Sequence, residues 1–362
     1  MLFKTLIVGL LALVTGLPAS AEDLTDNTDI DISRSWSQEP GGWTYPMSIR
    51  MPDVEAPGGG YPVCILLHGN GGNGQGTLNQ FSQTLTCHVL VAPSGYASSW
   101  NICGENSDAP DVSMVGELIT RLQTYDNVDS NRIRIVGFSN GSALANSVLI
   151  ENMNPGLDAV CAVVSQLSEA QHHDGDFHAP GGTTDPGEPN CGYDQVRTPL
   201  MNRKYLGVCN VNDGVIPYEG GQSPVGLSFL PAEQAAYLIA GLMGHKGAQF
   251  EGPGDPLGSD VFVHPYLDGQ VVMLRGFAGH GMNPVQEQYL KNFLMDCEVL
   301  PEPCPEDFNQ DQQIDGADLS LLLGHWGDEI DPPGTGYDLS GDGLVSGPDL
   351  SRVLGFWGAC SG

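Results

Sequence analysis

The sequence predicts an α/β fold, a mostly parallel sheet covered by helices on both faces, followed by a small all-α module. Three observations carry that prediction. Buried-strand runs alternate with helical patterns across residues 60–295. A G-x-S-x-G turn joins one such strand to one such helix. A twelve-residue acidic pattern near the C-terminus recurs 31 residues later.

Continuous apolar runs of strand length indicate strands buried on both faces, the habit of parallel sheets. Such runs occupy 63–67, 88–92, 133–136, 159–164 and 205–209. Between them, 115–122 has apolar residues at 115, 118, 119 and 122, one face of a helix. Helices are also expected at 142–152, 232–242 and 284–295, with a strand pair at 261–265 and 270–275 turned at Asp268-Gly269. Alternation of this kind wraps crossover units around one sheet. Residues 166–203 are rich in Gly, Pro, Asp and His and show no period. So long a loop is usually functional, here expected to cover a cleft. His172, His173 and His178 within it lack a second ligand cluster, so a solvated loop is preferred to a metal site.

The ends and the composition bound the setting. Met1-Leu2-Phe3-Lys4, an apolar stretch over 6–14 and Ala19-Ser20-Ala21 read as a secretory signal peptide over 1–21. The mature chain is therefore expected outside the cytoplasm: extracellular, on the cell surface or periplasmic. No later run reaches the length of a spanning helix, so no membrane partner is expected. Net charge is −31, from 13 Lys+Arg against 44 Asp+Glu, and such a surface repels nucleic acid. Nine cysteines in an exported chain point to disulfides, and the odd count leaves at least one thiol unpaired within the chain. Cys64, Cys161 and Cys209 lie in apolar runs and read as buried thiols. Cys87, Cys103, Cys191 and Cys297 lie in polar surroundings and are the bridge candidates, with their pairing open.

Gly137-Phe138-Ser139-Asn140-Gly141 follows an apolar strand and opens onto a helical pattern. Strand, G-x-S-x-G, helix is the nucleophile elbow of an α/β-hydrolase, where glycines allow a turn sharp enough to expose the serine. A serine hydroxyl needs a base, and the base needs an acid to orient it. In this fold they follow in the order Ser, Asp, His, each on a loop after a strand. Asp213, after the 205–209 strand, fits the acid. His280, between Gly279 and Gly281 after the 270–275 strand, fits the base. Asp255, Asp260 and Asp268 are rivals for the acid, and His264, His245 and the 172–178 group for the base. Two backbone N–H groups must face the developing oxyanion. Asn140 supplies one, and the loop at 67–74 the other, from Asn70 or, failing that, Gly71. That loop also fits G-x-G-x-x-G, but no acidic residue closes the next strand, so dinucleotide binding is set aside. No cofactor is expected for catalysis.

At Leu67-His68-Gly69-Asn70-Gly71-Gly72-Asn73-Gly74, Ala92-Pro93-Ser94-Gly95-Tyr96, Ser99-Trp100-Asn101-Ile102-Cys103-Gly104, the elbow, Asp213-Gly214-Val215-Ile216-Pro217-Tyr218 and Gly279-His280-Gly281, the chain resembles the secreted polyhydroxybutyrate depolymerase and feruloyl esterase family. The resemblance spans roughly 60–295. It implies a serine esterase with the triad Ser139, Asp213 and His280, and puts Trp100 near the acyl or aromatic part of the substrate. Met282-Asn283-Pro284 and Ser142 depart from the family pattern, and the cysteines usual near the Trp-Asn segment are reduced to Cys103.

Pro301-Glu302-Pro303-Cys304-Pro305 reads as a stiff linker, dividing a catalytic region at 22–300 from a module at 301–362. In the module, D-x-N-x-D spacing with further oxygens suits calcium, a hard cation that takes six to eight oxygen ligands. Repeat one offers Asp307, Asn309, Asp311, the Gln313 carbonyl, Asp315 and Asp318. Repeat two offers Asp338, Ser340, Asp342, the Leu344 carbonyl, Ser346 and Asp349. Each loop is followed by one apolar stripe: Leu319, Leu322, Leu323, Trp326, then Leu350, Val353, Leu354, Trp357. With a helix only behind each loop, the module looks like a dockerin domain, which implies a cohesin-type partner. Cys304 and Cys360 stand at its ends, where a disulfide would clasp it.

A dockerin commonly accompanies polysaccharide-degrading enzymes. The expectation is therefore hydrolysis of feruloyl or acetyl esters on polysaccharide, with polyester depolymerisation as the alternative. A peptidase of the same fold and a non-catalytic surface-binding protein are the lesser ones.

Overall fold

The computed structural model describes residues 22–182, 184–295, 305–309, 313–334 and 336–359. The expected leader at 1–21, Cys297, Cys304, Asp311 and Cys360 lie outside them. The chain divides into two compact units, Met1–Met295 and Asp296–Gly362.

The first unit is built on a nine-stranded sheet. In chain order its strands are β1 (Met47–Arg50), β2 (Tyr61–Leu67), β3 (Val89–Pro93), β4 (Val128–Phe138), β5 (Leu157–Val163), β6 (Lys204–Asn210), β7 (Asp255–Gly258), β8 (Val261–Tyr266) and β9 (Val271–Gly276). They lie in the order β7-β8-β9-β6-β5-β4-β2-β3-β1. The six strands from β9 to β3 run parallel, while β1 and the β7–β8 hairpin add antiparallel edges. This is an α/β-hydrolase-like arrangement.

Helices α2 (Asp111–Leu122), α3 (Asn140–Glu151) and α4 (Ala232–Leu242) cover one face, and α1 (Gly74–Phe81) and α5 (Pro284–Leu294) the other. Strand periodicity explains the division. On β2, Val63, Ile65 and Leu67 join the core beneath α2, α3 and α4, whereas Cys64 and Leu66 join Leu78, Phe81, Leu290 and Leu294. Each such side chain taken from water contributes about 1.5–3 kcal/mol before the entropic cost of ordering it. Two-sided burial is why the strands read as unbroken apolar runs.

The structure departs from expectation in helix α1 and in residues 166–203. Helix α1 begins at two glycines and carries few apolar residues, so it leaves little periodic signal. It is nevertheless capped by Asn73, whose side chain accepts from Gly76 N (2.9 Å). A Cβ on Gly74 would sit 2.1 Å from the Ala92 carbonyl. That glycine lets α1 pack against β3, which accounts for the nucleotide-like glycine spacing. Residues 166–203 are not structureless: His172–His173, Asp176–Ala179 and Gln195–Arg197 form a three-stranded antiparallel sheet. Strands of two to four residues are too short to leave a period. A Cys103–Cys191 disulfide closes an 88-residue loop from this region to the segment after Trp100. Cys64, Cys161 and Cys209 are buried free thiols. Among the described residues no helix is long and apolar enough to cross a membrane.

The second unit holds two capped helices, α6 (Gly316–Gly324) and α7 (Gly347–Gly355), around a core of Ile314, Leu322, Val345 and Val353. Gln313–Ile314 pairs antiparallel with Gly358–Ala359, joining the start of repeat one to the end of repeat two. The expected stripe is only half buried. Leu322 and Val353 are inside, but Leu323, Trp326, Leu354 and Trp357 are each about half exposed. Two helices of nine residues cannot enclose so wide an apolar face.

Candidate active site

Ser139 stands between the last residue of β4 and the first of α3, with φ 54° and ψ −117°. A side-chain-bearing residue adopts this conformation only when its surroundings impose it. Both flanking glycines serve close approach. A Cβ on Gly137 would meet the Gly141 carbonyl at 2.3 Å, and one on Gly141 would meet the Leu67 carbonyl at 2.2 Å. The serine itself takes the strained φ, and the glycines make the sharp turn possible by letting three backbone segments meet beneath it. The Ser139 N–H donates to the Val163 carbonyl (2.8 Å), fixing the turn against β5.

The structure brings the sequence-chosen serine, histidine and aspartate together. His280 Nε2 lies 2.8 Å from Ser139 Oγ, and His280 Nδ1 lies 2.8 Å from Asp213 Oδ2. The Asp213 side chain is 2% exposed, and its other oxygen accepts from Val215 N (2.8 Å) and Ile216 N (3.1 Å). Two N–H groups on one oxygen leave the other aimed at the imidazole. Of the rivals, His264 lies buried in β8, and Asp255, Asp260 and Asp268 are on the β7–β8–β9 hairpins.

Sequence reasoning missed the residues that stitch the two loops together. Asn210, 1% exposed at the end of β6, donates from Nδ2 to the Gly279 and Gly281 carbonyls (2.8 Å each). Its Oδ1 accepts from Ala278 N (3.1 Å) and Gln286 Nε2 (2.9 Å). Asn212 donates to the Phe277 carbonyl (2.9 Å) and accepts from Gly279 N (2.8 Å). The available signal was an asparagine closing an apolar strand three residues before Asp213. The Asn283 that departs from the family pattern caps α5 in a capping box with Gln286, Pro284 taking the first turn.

The N–H of Asn140, the first of α3, is among those a helix leaves without an internal partner. Among the described residues it meets no acceptor, and neither does the N–H of Asn70; both residues border the cavity that holds Ser139. Gly71 N–H is engaged by the Ser98 carbonyl (2.8 Å), which removes the fallback donor. Beneath this loop, buried His68 accepts from Gly95 N at Nε2 (2.9 Å), so its proton is on Nδ1, facing the Gly69 carbonyl (2.8 Å). Burial pushes its pKa down and keeps the ring neutral.

Trp100 requires a correction. It is 0% exposed and does not border the cavity; its indole N–H donates to the His68 carbonyl (2.8 Å) and its ring packs against His68. An indole this deep contacts backbone, not ligand. Its main chain holds the elbow, with Trp100 N donating to Asn140 Oδ1 (2.7 Å). Asn140 Nδ2 in turn donates to Glu105 Oε1 (3.2 Å).

The cavity measures about 460 Å³. Ser139, Asn140 and Asn70 lie on its reactive side, Ala143, Ile216, Leu227 and Phe229 supply apolar wall, and Gly104, Glu105 and Asn106 form a polar stretch. Among the described residues of the 166–203 region only Pro186 lines it, so those residues border the cleft at one point and do not cover it. His173 and His178 stack on each other at 3.7 Å, and His178 is buried.

In the second unit, Asp318 accepts from Phe308 N (2.8 Å) and Asp315 N (2.9 Å), and Asp349 from Ser340 N (2.8 Å) and Ser346 N (2.7 Å). These carboxylates tie each loop to its helix. Asp338 accepts from Gly334, Gly341, Asp342 and Gly343 N–H groups; the Gly334 bond is the largest of the causes holding its pKa below the usual carboxylate value. Asp338, Asp342 and Asp349 each offer an oxygen, all within 4.8 Å of one another. Asp307 and Asn309 open the first loop, Gln313 and Leu344 lie at short bridges, and Asp315 and Ser346 are the N-caps.

No protein-family model matches the chain, and no curated protein matches it. Among solved structures it is similar to a carboxylesterase from Bacillus cereus (13% identity, 69% of this chain and 93% of that one, TM-score 0.45). It is also similar to an acetyl xylan esterase from Aspergillus awamori (13%, 68% and 93%, 0.46) and a carboxylesterase from Mesorhizobium loti (14%, 69% and 94%, 0.39).

Proposed function

We propose that the chain is a serine carboxylic-ester hydrolase that cleaves feruloyl or acetyl esters on polysaccharide. The observation that carries this reading is the hydrogen-bonded chain Ser139–His280–Asp213 at the mouth of a cavity of about 460 Å³. Ser139 attacks the ester carbonyl while His280 Nε2 takes its proton. Asp213 keeps the imidazole in the tautomer that leaves Nε2 free to do so, and stabilises the imidazolium. The Asn140 and Asn70 N–H groups stabilise the oxyanion. His280 then protonates the departing alcohol, and water, activated by the same ring, releases the acyl group. The apolar wall suits an uncharged acyl group.

The Cys103–Cys191 bridge supports an exported protein, since such bonds persist in oxidising compartments. We further propose that the second unit binds two calcium ions. The clustered oxygens of Asp338, Asp342 and Asp349 support the second site, and the repeated spacing supports the first. The exposed pairs Leu323/Trp326 and Leu354/Trp357 offer a cohesin-type partner an apolar surface.

The test is turnover of p-nitrophenyl acetate by the full chain and by Ser139→Ala. Removing the nucleophile should lower kcat by a factor on the order of 10⁴–10⁶. A variant as active as the parent would overturn the mechanism. Methyl ferulate, acetylated xylan and polyhydroxybutyrate films, compared side by side, discriminate the ester class.

A further inference from the structure

Trp36, Trp43 and Tyr96 are half-buried and meet edge to face. Their ring centroids lie 6.3 Å (Trp36–Trp43), 5.1 Å (Trp36–Tyr96) and 5.5 Å (Trp43–Tyr96) apart. The proposed triad uses none of them. They nevertheless connect to the cavity by two routes. Trp36 Nε1 donates to Gln38 Oε1 (3.0 Å), and Gln38 Nε2 donates to the carbonyl of Asn106 (3.2 Å), a residue of the cavity wall. From Tyr96 the chain runs to Ser98, whose carbonyl accepts from Gly71 N (2.8 Å), next to Asn70 of the oxyanion loop.

We propose that this aromatic cluster is a subsite for the neutral sugar chain that carries the ester. This rests on the esterase reading of Ser139. Aromatic rings receive the C–H faces of pyranoses, while the polar groups beside them take the hydroxyls. The flanking side chains decide between occupants. Beside the rings stand Gln38 and Glu39; Glu39 accepts the Tyr96 hydroxyl (2.9 Å), and Gln38 Oε1 accepts from Asp108 N (2.8 Å). Carboxylates only accept, so they suit a ligand rich in hydroxyl donors. A polyester chain carries acceptors alone and cannot answer them. The Glu39 carboxylate, on a chain of net charge −31, disfavours glycans that bear uronates.

The experiment is affinity electrophoresis of the full chain through gels containing unacetylated xylan, glucomannan or polygalacturonate, alongside adsorption to polyhydroxybutyrate films. Expected are retardation by a neutral glycan, none by polygalacturonate, at least fivefold weaker retention for Trp36→Ala, and retention near the parent's for Trp36→Phe. Tyr96→Ala leaves Trp36 in place and reads the same surface should Trp36→Ala fold poorly, with thermal midpoints reporting the fold. Because unacetylated glycans hold no ester to cleave, their retardation is independent of p-nitrophenyl acetate turnover, which alone tests the reading of Ser139. A parent that neutral glycans do not retard would overturn the proposal. So would folded alanine variants retained like the parent, or a loss confined to polyester films.

Discussion

A carboxylate deep in the first unit shows how single residues set the pH response. Asp111 is 2% exposed and accepts from Tyr45 OH (2.9 Å) and Asn101 N (2.8 Å). Burial dominates those bonds and pushes its pKa up to about 7; burial does the same for Glu151. Between pH 4 and 7 the folded state then keeps protons that the unfolded chain has released. Stability contributed by these groups is therefore greatest at the acid end and falls as pH rises toward 7. For Asp111 the change is on the order of a few kcal/mol. Thermal midpoints measured from pH 5 to 7.5 should decline less steeply in Asp111→Asn than in the parent, and equal slopes would contradict the assignment. Ser139, Asp213 and His280 were legible because each follows the C-terminal end of a parallel strand, where a fold of this class presents its loops. Asn210 and Glu105 were not, because a hydrogen bond between segments distant in sequence leaves no local pattern.

At the scale of elements, the strands were readable wherever both faces are buried, and α2, α3, α4 and α5 from their apolar spacing. The misses have physical causes. Helix α1 buries only two large apolar side chains, Leu78 and Phe81, too few to leave a period, and edge strands β1 and β7 lack the double burial that makes a run recognisable. The elbow gives a direct test of element packing. On Gly141 a new Cβ would lie 2.2 Å from the Leu67 carbonyl and 2.6 Å from that of His68, both backbone atoms that cannot swing aside. Gly141→Ala should therefore cost about 1–3 kcal/mol or more and lower the thermal midpoint. It should also lower kcat, since the turn carries Ser139. An alanine variant with the parent's midpoint and rate would show that the strand–turn–helix junction has slack.

For the whole molecule, the repeat arithmetic that revealed the second unit also describes its two capped helices, but it could not tell which half of each stripe faces inward. The calcium reading is tested on the full chain by calorimetry with and without calcium. Added calcium at a hundredfold excess over its Kd should stabilise the C-terminal transition by about 2.7 kcal/mol per site. Asp338→Asn should abolish the part due to repeat two, and a transition indifferent to calcium would remove the metal from the account. The central claim is that three side chains, each on a different loop of one sheet, act as a single nucleophilic device. Its most direct measurement is mass spectrometry of the full chain after exposure to a fluorophosphonate. The account predicts one adduct, on the peptide containing Ser139, formed by the parent and suppressed in His280→Ala. Absence of that adduct in the parent, or labelling of Ser139 at the same rate without His280, would contradict it.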